Sequence, residues 1–361
     1  MEINTLIIYV MVIFMIIGAV DRILGNRFGY GKKFEEGIMA MGPLALSMIG
    51  IISLSPVIAK VLKPIITPFY EMIGADPALF AGTILANDMG GWSLGSEIAK
   101  SHEGAVLGGL ILSATLGATL SFSIPVAMGM IKKSDEKYLS KGILAGIITV
   151  PLGCFIGGIV AGFGVKFLII NLIPTFIVTI LLGILLFKYP KKVAKSFSFF
   201  GKFMTILITV GLLLESVRIL TGVTLVPNLF SALEASETVC KIGMVLSGAY
   251  PLTHFITKVF AKPLQKVGTL IGVNETSVVG FIACLAHNIP MLSIVDKMDA
   301  KGKIMNIAFS VSGAFVFGSH LGFTAGIDKS MVFPVIIAKL SGGITAMIVG
   351  TLLYKLDKDS E

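Results

Sequence analysis

The chain has 361 residues, of which 55% are hydrophobic and only 14% charged, with a formal net charge of +8 and a mean hydropathy of +0.93. No soluble domain of this length needs so much apolar surface, so the composition excludes an ordinary globular enzyme and points to a polytopic membrane protein. The basic balance does not indicate nucleic acid, because the Lys and Arg residues fall in short loops between apolar runs, where membrane topology puts them.

In chain order, apolar segments long enough to cross or enter a hydrocarbon layer of about 30 Å fall at 4–24, 37–62, 75–98, 104–131, 139–161, 165–187, 199–221, 239–261, 273–296, 303–326 and 331–354. The first carries Glu2 rather than a basic leader and has no small-residue cleavage site, so it is expected to stay as a spanning helix. Three cysteines, Cys154, Cys240 and Cys284, all lie on apolar segments and imply no disulfide framework.

Two of these segments are polar in the middle and look like copies of each other. Ungapped at a shift of 198, residues 50–84 match residues 248–282 at nine positions, among them Gly50/Gly248, Lys60/Lys258, Gly74/Gly272 and Gly82/Gly280. Further echoes at shifts of 196–198 are Arg22-Ile23-Leu24 with Arg218-Ile219-Leu220, and Lys133-Ser134 with Lys329-Ser330. Internal repeats with broken helices are a signature of secondary transporters.

Charge placement selects a topology. If all eleven segments span with the N-terminus inside, Lys and Arg divide 15 inside to 13 outside; if segments three and nine are re-entrant and the N-terminus is outside, they divide 21 inside to 7 outside, with Lys339 left within the last helix. The positive-inside rule prefers the second arrangement. The fold expected is therefore an all-α polytopic integral membrane protein. Two inverted structural repeats occupy 1–164 and 199–361, joined by a linker helix in 165–198. Each repeat carries a re-entrant helical hairpin, at about 75–98 and 273–296, beside about nine spanning helices. The C-terminus is then cytoplasmic.

Candidate chemistry sits at the polar breaks. Asp88, in Ala86-Asn87-Asp88-Met89-Gly90-Gly91, is a carboxylate at membrane depth, costly unless paired or facing a wet cavity. With carbonyls freed by Gly90-Gly91, carrying partial negative charge, it makes a cation site; a helix cap or a salt-bridged Asp is the structural alternative. His287-Asn288-Ile289-Pro290 occupies the matching place, with Asn288 as a cap or hydroxyl partner and His287 as a proton carrier or a satisfied buried histidine. Cys284 and His287 are three apart, but two ligands without a third do not make a metal site, so neither metal nor cofactor is expected.

Trp92, the one tryptophan, could face an ammonium group or anchor at an interface, and Tyr70 and Tyr250 share that choice. Segments four and ten carry a matched interruption, Ser121-Phe122-Ser123-Ile124-Pro125 against Phe317-Gly318-Ser319-His320-Leu321. His320 there is a second titrating group or an interhelical hydrogen-bonding residue. Glu215 with Arg218, and Asp21 with Arg22, read as interfacial pairs. Glu35 and Glu36 read as helix N-terminal acids or as part of a vestibule. HExxH, P-loop and GxGD signatures are absent from the sequence, which argues against an enzyme.

Ordered short motifs along nearly the whole chain resemble the ethanolamine-utilisation transporter family, EutH. They are Ala19-Val20-Asp21-Arg22-Ile23-Leu24, Phe34-Glu35-Glu36-Gly37, Met39-Ala40-Met41-Gly42, Tyr70-Glu71-Met72, Phe80-Ala81-Gly82-Thr83 and Asp88-Met89-Gly90-Gly91 in the first half. Ser123-Ile124-Pro125-Val126-Ala127, Gly248-Ala249-Tyr250-Pro251, Asn288-Ile289-Pro290-Met291, His320-Leu321-Gly322-Phe323 and Gly342-Gly343 continue the series. The chain departs from some relatives at Asn87 and Ser319, where Cys and Asp are expected. The resemblance implies a bacterial inner-membrane protein that brings ethanolamine into the cytoplasm, for cobalamin-dependent breakdown, by alternating access or as a facilitator.

Ethanolamine is a primary amine with a pKa near that of lysine, about 10, and so is almost wholly a cation near neutrality. Its site needs one anion and one hydroxyl partner. The candidate binding residues are Asp88, Asn87, Trp92, Ser123, His287, Asn288 and His320. Membrane lipids, a coupling H+ or Na+ and a homo-oligomeric state remain open partners. The rival reading is a sodium- or proton-coupled carrier of another small solute, such as a carboxylate.

Overall fold

The computed structural model describes residues 3–358; Glu2 and the last three residues lie outside that range. Every regular element among the described residues is helical, as a chain in lipid requires when each backbone group must find its partner within its own segment. In order they are α1 (Ile3–Ile23), α2 (Tyr30–Met39), α3 (Met41–Ile73), α4 (Ala78–Ile84), α5 (Gly91–Ile98), α6 (His102–Val106), α7 (Ile124–Met130) and α8 (Glu136–Val160). There follow α9 (Val165–Lys188), α10 (Pro190–Thr221), α11 (Ala232–Ile271), α12 (Glu275–Ala286), α13 (Asn288–Leu292), α14 (Ala300–Gly313), α15 (Ser319–Ile327) and α16 (Val332–Lys358). Between α6 and α7 the rod continues without a break in a widened π-helical form over Leu107–Gly117 and Thr119–Ser123. Among the described residues eight helices are long and apolar enough to cross a membrane.

The second segment differs from the expected 37–62: α2 and α3 together run through 30–73. Segments 75–98, 273–296 and 303–326 are each divided into two helices too short to cross alone, since α4 and α5 have 7 and 8 residues and α12 and α13 have 12 and 5. At a rise of about 1.5 Å per residue even the 14 residues of α14 cover only part of the layer.

The two polar segments end where they begin. The Asp76 carboxylate, just before α4, accepts the backbone N–H groups of Lys100 (3.1 Å) and Ser101 (3.0 Å) and the Ser101 hydroxyl (2.9 Å), all just beyond α5. In the other segment Asp299, beyond α13, accepts the backbone N–H of Asn274 (2.8 Å), while the Asn274 side chain donates to Lys297 O (3.0 Å). The carboxylate is at the entry in one case and at the exit in the other.

Close approaches recur at a fixed interval. A Cβ on Gly50 of α3 would sit 1.8 Å from Ile208 O of α10, and one on Gly248 of α11 would sit 2.3 Å from Met11 O of α1. A Cβ on Gly82 of α4 would meet Gly108 O at 2.0 Å, and one on Gly280 of α12 would meet Asn306 Oδ1 at 2.4 Å. Residues 82 and 280, and 108 and 306, are both 198 apart. Gly74 and Gly272, also 198 apart, end α3 and α11 with φ of +76° and +67°, the left-handed closure that a residue without a Cβ adopts freely.

At one end of the bundle Lys132 pairs with Asp296 (2.8 Å), Lys303 with Asp135 (2.7 Å), and Lys258 donates to Phe28 O (3.2 Å). At the other end Asn4 accepts from the Phe333 N–H (2.8 Å) and Asn171 from the Asp76 N–H (2.7 Å). Glu215 and Arg218 pair as expected (2.8 Å). Asp21 does not pair with Arg22. It is buried and accepts the N–H groups of Phe28 (2.9 Å) and Gly31 (2.8 Å), fixing the turn into α2, while Arg22 lies 3.9 Å from Glu35. A short carboxylate beside a tight turn reaches orphaned amides more readily than a neighbour pointing the other way.

Candidate functional site

The turn between α4 and α5 positions Asp88. Leu85 and Ala86 are extended, Asn87–Met89 form a single tight turn, and Gly90 takes φ +99°. A Cβ at Gly90 would also lie 2.5 Å from Ile51, so both the conformation and the space require glycine. Ala86 N–H donates to the Ser121 hydroxyl (3.2 Å) and Ala86 O accepts from Met89 (3.0 Å) and Gly91 (2.8 Å). Asn87 is buried, and its Oδ1 accepts the Asp88 N–H at 3.0 Å. The Asp88 side chain is 12% exposed.

The second break is at His287, whose backbone is extended and whose Nδ1 accepts the Ile289 N–H (3.1 Å), capping α13. His287 therefore does not share a helical face with Cys284. The carbonyls that α12 leaves free are taken by a third break, between α14 and α15: Phe315 N–H donates to Cys284 O (3.1 Å) and Phe317 N–H to Leu285 O (2.9 Å). Phe315 holds φ +63°, unusual for a bulky residue and typical of functional sites. Its ring packs 4.7 Å from that of His287 and 4.8 Å from that of His320.

The three breaks converge on a cavity of about 370 Å³ lined by Asp88, Met89, His287, Phe315, Ser319 and His320, with Phe122, Tyr250 and Ser47 closing the walls. Ser319 lines the same cavity as Asp88, and His320 Nε2 lies 4.0 Å from Asp88 Oδ1. A second cavity of about 490 Å³ shares Tyr250 and His287 with the first and reaches Lys33, Glu36 and His254, towards the end of the bundle that holds Phe28 and Lys258. A third, of about 210 Å³, has Trp92, Glu97, Phe230 and Glu234 in its wall and shares no lining residue with the first. Among the described residues no group of three or more His, Cys, Asp or Glu side chains gathers to hold a metal ion.

Of the residues singled out by sequence, Asp88, His287 and His320 meet in one cavity and Asn87 supports the first of them. Trp92 belongs to the third cavity. Ser123 and Asn288 bond each other instead (Nδ2 to Oγ, 2.8 Å) beside a small void outside the main cavity; the pairing closes two buried polar groups that would otherwise be left bare. Glu36 is part of no N-terminal turn: α2 starts at Tyr30, and Glu36 pairs with Lys33 in the wall of the second cavity.

One residue the sequence reading left aside is central. Lys339 of α16 is 1% exposed; its Nζ donates to Ala114 O and lies 3.1 Å from His320 Nδ1. Its sequence signal is a lone lysine inside the apolar run 331–354.

Over residues 3–353 the chain matches the family model described as "Ethanolamine utilisation protein, EutH". It is 52% identical over 350 residues to the "Probable ethanolamine permease EutH" of Listeria monocytogenes, covering 97% of this chain and 94% of that one. It is 45% identical over 395 residues to the protein of the same name in Salmonella typhimurium, covering 99% and 97%. With the "Uncharacterized protein YxeR" of Bacillus subtilis it shares 45% identity over 346 residues, covering 96% and 94%. No solved structure matches the chain. At this coverage and identity the chain belongs to the EutH family of ethanolamine utilisation proteins.

Proposed function

We propose that this protein carries ethanolamine, as its ammonium ion, across the bacterial inner membrane into the cytoplasm, and that Asp88 is the anion that binds it. The observation that carries the reading is a carboxylate opening into an otherwise aromatic and neutral cavity at the meeting point of three broken helices. A primary ammonium there gains the charge of Asp88 and the ring faces of Tyr250, Phe122 or Phe315, each such contact contributing about 0.5–2 kcal/mol. Ser319, Ser47 and His287 offer partners for the hydroxyl. A cavity of about 370 Å³ leaves room for this four-heavy-atom solute and several waters at about 30 Å³ each. A carboxylate substrate would face Asp88 across the same space, which disfavours an anion carrier.

The arrangement in the membrane that we infer has nine crossings, α14 and α15 together making one, with α4–α5 and α12–α13 as re-entrant hairpins and the N-terminus outside. The halves 1–164 and 199–361 are then inverted copies about the linker 165–198. Hydrogen bonds between the two ends of each hairpin support this, as do the glycine contacts repeated at 198 and the Lys and Arg excess at the end holding Lys132, Lys258 and Lys303. With that end cytoplasmic, the main cavity communicates inwards through the wall shared at Tyr250 and His287. The third cavity, with Trp92 and two glutamates, lies on the outer side as an approach for cations. Alternating access would close the first connection and open the second.

The test is uptake of labelled ethanolamine into proteoliposomes containing the purified protein, with competition by choline, methylamine and a panel of small organic acids. Saturable uptake competed by amines and not by acids is expected. Competition by acids, or no movement under imposed sodium, proton or substrate gradients, would overturn the reading.

A further inference from the structure

We propose that Lys339 and His320 make the Asp88 site an exchanger, in which binding of one ammonium substrate expels one proton. The inference rests on Asp88 being the substrate anion and adds the coupling chemistry.

Lys339 Nζ, buried in the bundle, bonds the carbonyl of Ala114 and sits 3.1 Å from His320 Nδ1. That carbonyl belongs to the π-helical stretch Leu107–Gly117, a widened form that recurs at functional sites. An ammonium has donors only, so Nδ1 of His320 accepts, and the ring proton is left on Nε2. Nε2 faces Asp88 Oδ1 at 4.0 Å. Lysine, imidazole and carboxylate therefore form one line, each donor facing the next acceptor, running from α16 through α15 to the cavity wall. Closing the last gap by about 1 Å makes it a continuous hydrogen-bonded path.

Among the described residues few titratable groups face this line. Cys154 of α8 and Cys284 of α12 lie near Lys339, His287 near His320 and Tyr250 near Asp88. Asp88 is the one carboxylate among them. Without substrate, Lys339 and Asp88 are jointly neutral whether the proton sits on the amine or, moved through the imidazole, on the carboxylate. Both forms hold the same number of protons. An arriving ammonium substrate needs the carboxylate ionised, and one buried anion then faces two cations. Loss of H+ from Lys339 restores neutrality: a substrate cation enters the site and a proton leaves it, with no net change in charge. Lys339 is thus a resident primary ammonium competing with a substrate of the same chemistry.

The experiment uses the purified full chain in weak buffer with a pH indicator, titrated with ethanolamine, alongside uptake into proteoliposomes under potentials set with potassium and valinomycin. The wild type is expected to release close to one proton per ethanolamine bound near pH 7, with uptake indifferent to potential. Lys339→Arg, which keeps a permanent cation, should bind at least tenfold more weakly and release nothing. Should the variant not fold, the wild-type stoichiometry decides alone. Binding without proton release by the wild type overturns the exchanger and leaves the ethanolamine site standing. Wild-type proton release by Lys339→Arg also overturns it. Absence of any ethanolamine binding overturns both.

Discussion

Replacing Asp88 with Asn removes the charge at the centre of the cavity and keeps its shape. An ammonium about 4 Å from a carboxylate in surroundings of effective dielectric 20 is stabilised by about 4 kcal/mol. The amide retains a carbonyl acceptor, and a hydrogen bond contributes about 1 kcal/mol. The net loss of about 3 kcal/mol corresponds to a weakening of roughly 150-fold. Four heavy atoms at a ceiling of about 1.5 kcal/mol each bind no more tightly than the tens of micromolar, so the variant moves into the millimolar range. Calorimetry at high protein concentration reads both, and saturable uptake at micromolar ethanolamine should vanish. Removing the carboxylate also strips His320 and Lys339 of their counter-ion, so thermal unfolding must accompany the titration, with Asp88→Glu as a charged control. An Asp88→Asn protein that folds and binds within threefold of wild type would refute the assignment of Asp88 as the substrate anion.

Ser123→Ala leaves the Asn288 amide buried without its partner. It should cost about 1–3 kcal/mol, seen as a lower Tm, while ethanolamine affinity changes less than twofold because neither residue lines the main cavity. Gly50→Ala and Gly248→Ala each drive a methyl into a backbone carbonyl of the facing helix; losses of about 1–3 kcal/mol for overpacking are expected in both, and indifference at either site would count against equivalent roles in the two halves. The hydrogen bond from Lys132 holds the exposed Asp296 carboxyl below its ordinary 3.8. That tie contributes in full above pH 3.8 and is lost as pH falls through the lowered value. The small difference in Tm between wild type and Asp296→Asn should therefore narrow at pH 3 and shrink with salt.

Much of the helical plan is legible in the sequence because lipid penalises polar residues so heavily that the breaks near Asp88 and His287 stand out. The eight long apolar helices follow from hydropathy alone. Other features have no local signal. The third break, at Phe315, places a left-handed backbone on a residue that sterics disfavour there, and only the carbonyls of Cys284 and Leu285, some thirty residues earlier, make it pay. The Ser123–Asn288 bond joins residues 165 apart, so each looked like a free substrate ligand when read alone. Trp92 follows Asp88 by four residues, yet α5 turns it away into another cavity. Lys339 was visible as an anomaly and lacked a partner until α15 and α16 came together.

In the repeat arrangement proposed above, the two halves would share a frame and divide the chemistry. Glycines at 50 and 248, at 74 and 272, and at 82 and 280 do the same structural work in each half, closing helix contacts and ending long helices. The polar groups do not repeat. The residue 198 after Asp88 is Ala286, and the second half supplies His287, His320 and Lys339 in its place. Two faithful copies would set two carboxylates across one small cavity, and like charges so close would resist joint ionisation. One anion from the first half and a lysine–histidine relay from the second give a site that is neutral when empty. A rocking motion of one half against the other would then change the distance between Asp88 and His320, so the step that opens the cavity to either side is also the step that connects or disconnects the proton path. A carrier built this way needs no separate coupling-ion site.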